Sequence, residues 1–154
     1  MTSIDTNILL HAFNLDSPSN ASAREWLSFI HAEEDVVISE FILAELYVLL
    51  RNRAVLRTPL NEIEAAEVIE IYRSHPRWRL IGFPGESRTI HNELWNLAKS
   101  PNFAARRIYD ARAALTMTSQ GVTDFATVNL KDFQGLGFKK VWNPLANVPS
   151  QELE

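Results

Sequence analysis

The chain has 154 residues, 46% of them hydrophobic and 22% charged, with a formal net charge of -4 and no cysteine. That length supports one domain with a real core and leaves no room for two ordinary ones. The composition excludes disulfides, thiolate nucleophiles and zinc–thiolate sites. The acidic balance argues against a domain that coats nucleic acid without specificity, although an enzyme acting on nucleic acid needs only a local basic rim.

Thr2 to Asp5 is expected as a short strand, with a turn or helix start at Thr6–Asn7. Ser17-Pro18-Ser19-Asn20 is loop chemistry that contains an N-cap candidate. Ala21 to His31 sets Ala23, Trp26, Leu27 and Ile30 at helical spacing, and Asp35 to Ile38 is a β-branched run expected as a strand. Ser39 then caps a helix whose apolar residues recur at Phe41, Ile42, Leu43, Leu46, Leu49 and Leu50. A basic loop holds Arg51, Arg53 and Arg57, and Pro59 and Asn61 precede an amphipathic helix. His75-Pro76 ends that helix. Trp78 to Phe83 alternates as a strand does, Thr89 to Ala98 is helical, and Ala104 to Met117 is an Ala-rich helix. Asp124 to Thr127 is a short strand, Asn129 to Gly137 a loop, and Lys140 to Trp142 a last strand.

Strands alternate with helices along the whole order. That pattern predicts an α/β fold, a central, mainly parallel sheet with helices on both faces. Residues 1–145 form the domain, and 146–154 are a polar tail expected to be loose. No stretch approaches the roughly 20 apolar residues of a membrane span. No basic-then-apolar leader precedes Asp5, so a cytoplasmic protein with no membrane contact is expected.

Ligand sites in open α/β sheets lie beyond the carboxyl ends of the strands. Asp5 ends the first strand, and Asn129 closely follows the strand at Phe125–Thr127. Glu45 sits inside FILAELYVLL, and Asp110 heads a stripe of Ala113, Ala114 and Met117. Burying ionised carboxylates unpaired is costly, and grouping them is worse because like charges repel in low dielectric. Arginines could pair with them, or a divalent cation could bind between them. Oxygen ligands without a Cys or His cluster favour Mg²⁺ or Mn²⁺. Each residue also has an ordinary structural role open to it. Asp5 could cap the helix that follows. Glu45 could pair with Arg51 or Arg53, and Asp110 with Arg106 or Arg107. Asn129, Asp124 and Asp132 could be turn or cap residues. Thr6 and Asn7 would shape the turn after Asp5. The four histidines have no metal spacing, and the four tryptophans are expected as core or helix-face anchors.

The blocks IDTN at the start, AEL at 44–46, YDARAA at 109–114, TVNLKDF at 127–133 and NPL at 143–145 resemble the PIN domain. Within it, the chain is similar to VapC-type toxins of toxin–antitoxin modules. The resemblance spans Ile4 to Leu145 and implies a PIN-like three-layer α/β/α fold. It implies Asp5, Glu45 and Asp110 as acidic catalytic and metal-binding positions, with the fourth position on Asn129. Many relatives carry aspartate there, and Asp132 is the backup three residues on. The implied activity is a Mg²⁺- or Mn²⁺-dependent endoribonuclease, usually dimeric, held in check by a cognate antitoxin whose C-terminal segment lies in the active-site groove.

RNA phosphodiester hydrolysis by a metal-activated water would need no side-chain nucleophile. Arg51, Arg53, Arg106, Arg107 and Lys131 are candidates for holding RNA, and each is equally readable as a solvated helix end. Two rivals stand beside this expectation. An aspartyl-phosphate enzyme built on Asp5 would want a second acid at the position Asn7 holds. A noncatalytic PIN-fold module binding RNA or protein is favoured by the missing acid at Asn129.

Overall fold

A computed structural model describes residues 1–146, so the expected tail at 146–154 lies outside the described residues apart from Ala146. Five strands are β1 Thr2–Ile4, β2 Val36–Ser39, β3 Arg79–Ile81, β4 Asp124–Ala126 and β5 Lys140–Trp142. The helices among the described residues are α1 Thr6–Phe13, α2 Asn20–Ile30, α3 Glu40–Leu50, α4 Glu62–Arg73, α5 Ser87–Ala98, α6 Arg107–Ser119 and the short α7 Leu130–Phe133.

All neighbouring strands pair in parallel, in the order β3-β2-β1-β4-β5. Parallel sheets need cover on both faces. Right-handed crossovers supply it here, because the connection from β3 to β4 reverses the direction of travel across the sheet. Helices α1 to α4 pack among themselves, and α5, α6 and α7 form the second group. The result is the expected three-layer α/β/α arrangement. Strand β2 is buried at every position, and Ile4, Ile8, Ile38, Leu43, Leu46, Met117 and Phe125 are fully buried between the layers.

Strand order also locates the site. Leaving β1 the chain moves toward β2, and leaving β4 it moves toward β5. The gap between β1 and β4 is therefore the topological switch point, where a crevice opens beyond the carboxyl ends. Ile4 pairs with Ala126 in register, so the next residues on the two strands, Asp5 and Thr127, lie side by side at that crevice. The Asp5 N–H still reaches the Ala126 carbonyl at 2.9 Å, which fixes the backbone past the last paired residue.

Local chemistry explains most boundaries. Ser39 ends β2 and accepts a hydrogen bond from the Phe41 N–H at 3.2 Å, turning the chain directly into α3. Asn61 and Glu64 form a reciprocal capping box that starts α4. Three expectations need correction. The strand expected over Trp78–Phe83 is only Arg79–Ile81: Trp78 is buried against the helices, while Phe83 stands 86% exposed beyond the sheet. The loop expected over Asn129–Gly137 contains the turn of helix α7. Of the tryptophans expected as core or helix-face anchors, Trp78 is buried, whereas Trp95 stands on α5 at 57% exposed and anchors no core. No helix of the described chain is long and apolar enough to cross a membrane.

Candidate active site

Asp5 does two things at once. It is the N-cap of α1, with Oδ1 accepting the Thr6 N–H at 2.7 Å. Its other oxygen, Oδ2, accepts from Asn7 Nδ2 at 2.8 Å and from Thr127 Oγ1 at 2.5 Å. The cap and strand-end alternatives are thus both realised. A carboxylate offers about four acceptor sites. Three of them are occupied within the fold, which leaves roughly one for the crevice. Asp5 is only 5% exposed.

Glu45 reaches the same place from α3. Thr6 Oγ1 donates to Glu45 Oε2 at 3.0 Å and also approaches the Ile42 carbonyl at 3.3 Å, so the residue after Asp5 positions the second carboxylate. Asp110, in the first turn of α6, closes the group. Asp5, Glu45 and Asp110 line one cleft of about 330 Å³ together with Phe41, Tyr109 and Arg112. The burial expected of all three acids is graded instead: Asp5 is buried, Asp110 half-buried and Glu45 exposed at the rim.

Electrostatics tie the three together. Burial pushes the Asp5 carboxyl up to about 7, against the Thr127 hydrogen bond that lowers it, and the charges of Glu45 and Asp110 raise it further. Asp110 rises to about 6, first through burial, then through Asp132 and Glu45, with Arg107 acting the other way. Among the described residues, none of the three forms an ion pair, so the pairings considered for Glu45 with Arg51 or Arg53 and for Asp110 with Arg106 or Arg107 are not made.

Neither candidate for the fourth position, Asn129 or Asp132, lines that cleft. Asn129 is exposed, and its backbone N–H donates to Thr127 Oγ1 at 2.9 Å, so it supports the site through its main chain. Asp132, on α7, is close enough for its charge to act on Asp110, together with that of Glu45. Asn7 also bridges Asp5 to Thr127, donating to Thr127 Oγ1 at 3.2 Å and accepting from the Val128 N–H at 3.4 Å. Thr127, fully buried and bonded to Asp5, Asn7 and Asn129, is the positioning residue that motif order alone passes over.

The basic candidates fare unequally. Arg51 is engaged by the Tyr47 hydroxyl at 2.9 Å and by Glu62 at 3.5 Å. Arg107 donates to the Gln134 carbonyl at 3.1 Å and lies over the Phe103 ring, tying α6 to the end of α7. Arg53, Arg106 and Lys131 are exposed. Arg112, which was not among the candidates, is the arginine that lines the acid cleft.

Oxygen donors of this kind suit a hard cation. Among the described residues no three acidic or histidine side chains converge tightly enough to enclose an ion by themselves. Mg²⁺ does not require that, since it keeps several waters and takes one or two carboxylates.

A crevice at the switch point of a parallel sheet, lined by carboxylates from β1, α3 and α6, defines a class of fold and site together, and the model of that class, the PIN domain, matches residues 3–137. The chain belongs to the PIN-domain family. It is 45% identical over 147 residues to Ribonuclease VapC24 of Mycobacterium tuberculosis, in strains H37Rv and CDC 1551, covering 96% of this chain and 99% of that protein. Among solved structures, the Mycobacterium tuberculosis sarcin-ricin loop cleaving toxin VapC20 superposes with a TM-score of 0.64 at 20% identity, covering 90% of this chain and 96% of that one. FitAB bound to an IR36 DNA fragment gives a TM-score of 0.67 at 20% identity over 97% and 99% of the two chains. VapBC2 from Rickettsia felis, bound to a promoter DNA fragment, gives 0.65 at 18% identity over 92% and 97%. At such identities these structures speak for the fold.

Proposed function

We propose that the chain is a VapC-type endoribonuclease that uses Mg²⁺ or Mn²⁺ to hydrolyse RNA phosphodiester bonds. The observation that carries this is the convergence of Asp5, Glu45 and Asp110 on one cleft without a cationic partner, with the Asp5 and Asp110 carboxyls both raised. Near-full-length similarity to a protein named a ribonuclease supports the same substrate class.

Asp5, Glu45 and Asp110 would hold the cation. When bound, it supplies Lewis acidity, making a water acidic enough to attack near neutral pH and offsetting charge that develops on the phosphate. The chain's own residues set the geometry. Thr127, Asn7 and the Thr6 N–H fix the Asp5 carboxylate. Thr6 Oγ1 holds Glu45. Asp132 adds negative charge beside Asp110, and we assign to it, rather than to Asn129, the fourth acidic function.

A cognate antitoxin and a homodimer belong to the same proposal. The antitoxin is supported by relatives solved as the FitAB and VapBC2 complexes. The noncatalytic reading that Asn129 favours loses its support if Asp132 supplies the fourth acid. Incubating the purified chain with structured RNA tests the proposal. Cleavage that requires added Mg²⁺ or Mn²⁺ and vanishes with chelator is expected. Cleavage that persists undiminished in excess chelator, or full activity in Asp110→Asn, overturns it.

A further inference from the structure

Arg112 follows Asp110 by two residues on α6, and its guanidinium carbon lies 5.7 Å from the Phe41 ring centroid and 5.8 Å from that of Tyr109. It lies over two aromatic rings, an arrangement that restrains a guanidinium without neutralising it. Among the described residues it makes no hydrogen bond and no ion pair, although it shares a cleft with three carboxylates. Arg112 also lines the small pocket next door, with Phe41 and Phe83. The rings of Phe41 and Phe83 meet edge to face at 5.0 Å. Tyr109 is 64% exposed and Phe83 86% exposed. A row of rings, interrupted by one fixed cation, therefore runs from the acid cleft outward.

The chemistry of that row is specific. An acidic cleft in a chain of net charge -4 repels a polyanion, and a fixed guanidinium beside it offsets that repulsion for one phosphate. Exposed rings offer stacking only to a base whose face is free, which excludes a base inside a duplex. The adjoining pocket is small, about 70 Å³, so the exposed rings outside it offer the larger stacking surface.

Resting on the ribonuclease proposal, we infer that Arg112, Tyr109 and Phe83 form a substrate subsite for an unpaired stretch of RNA, with Arg112 taking a phosphate next to the scissile one and Tyr109 and Phe83 stacking the flanking bases. Substrate selection at this site is then for single-stranded loops or ends.

Binding of a fluorescently labelled, unstructured, mixed-sequence oligoribonucleotide to the full chain tests this, with the same sequence annealed to its complement as the comparison. Anisotropy is measured in the Asp110→Asn background so that affinity is read without cleavage. Tyr109→Ala and Phe83→Ala should each weaken single-strand binding about tenfold, within the range of one lost base stack, while Tyr109→Phe restores it. Arg112→Ala should weaken binding and flatten its salt dependence by about one phosphate contact, and Arg112→Lys should recover the salt slope but not the full affinity. Matching thermal unfolding of each variant separates these effects from misfolding. Unchanged single-strand affinity in Tyr109→Ala and Arg112→Ala overturns the subsite, as does duplex binding equal to single-strand binding. Intact RNA affinity with loss of an antitoxin peptide's binding also overturns it and makes this face a protein-docking surface. Failure of wild type to cleave any RNA would defeat the ribonuclease proposal, whereas ring-dependent binding of the single strand would still establish the subsite.

Discussion

Thr127 Oγ1 donates a 2.5 Å hydrogen bond to Asp5 Oδ2 across 122 positions of sequence. This bond favours the ionised carboxylate in a setting where burial, Glu45 and Asp110 all oppose it. Thr127→Val removes the donor and keeps the shape. The acid limb of the pH–rate profile should move to higher pH, because Asp5 then ionises less readily, with a stability loss of about 1–2 kcal/mol. Thr127→Ser should restore the profile. An unshifted profile in the valine variant would deny Thr127 this role.

Asp110→Asn is the cleaner of two charge removals. Asp110 is half-buried, and its side chain accepts no hydrogen bond within the described chain, so an amide fits without conflict. Cleavage should fall about a thousandfold, several kcal/mol of transition-state stabilisation at roughly 1.4 kcal/mol per decade, while the melting temperature holds or rises. Asp5→Asn should also silence the chain, but its amide would face the Asn7 Nδ2 donor and lower stability. A fall in melting temperature for Asp110→Asn larger than for Asp5→Asn would contradict this assignment.

The metal-free chain should become more stable as pH falls. Asp5 has its folded value raised from 3.8 to about 7, so the folded state binds this proton more tightly than the unfolded state. The resulting destabilisation is fully present above about pH 7 and is relieved as pH falls toward 3.8, with a slope of up to about 1.4 kcal/mol per pH unit. Asp110 acts in the same direction below about pH 6. Added Mg²⁺ should raise the melting temperature more at pH 8 than at pH 5, since the proposed site would take it on ionised carboxylates. Differential scanning calorimetry across that range, with and without the ion, checks both statements.

An opposing effect comes from the histidines at the ends of α2 and α4. His75 Nδ1 accepts from the Arg77 and Trp78 N–H groups at 3.2 and 3.1 Å, which puts its proton on Nε2, facing His31 Nδ1 at 3.0 Å. Burial and then the charge of His31 lower the His75 value, so this ring costs stability as pH falls below 6.5. His75→Asn keeps an acceptor for the two N–H groups but cannot titrate. Its stability should rise more than that of wild type as pH falls below 6.5, and an identical pH dependence in equilibrium unfolding would rule the ring out as the source.

Much of this was legible in the sequence, for local reasons. Asp5 follows an apolar strand and Asp110 heads an alanine stripe, so both positions follow from periodicity. The parallel sheet follows from alternation of elements. What escaped depended on contacts made across the fold. Asn129 and Asp132 sit in one short stretch, and only the fold brings the charge of Asp132 within reach of Asp110. Thr127 looks like strand filler until the Ile4–Ala126 register sets it beside Asp5. Arg112 is hidden within YDARAA because one of its aromatic partners, Phe41, comes from α3. Arg107 is readable in the sequence as an RNA contact, a solvated helix end or a partner of Asp110, because its actual partner, the Gln134 carbonyl, lies 27 residues away.

The position of β1 between β2 and β4 also has a consequence for synthesis. A nascent chain that has emerged only as far as α6 already carries Asp5, Glu45 and Asp110. Its first strand can pair with β2 alone, and the β4 flank of Asp5 stays open to water. Until Thr127 clears the ribosome, the acid at the centre of the cleft lacks the neighbour that fixes it. The order of residues along the chain thus leaves the acidic cleft without its β4 wall until the segment carrying Thr127 has folded beside β1.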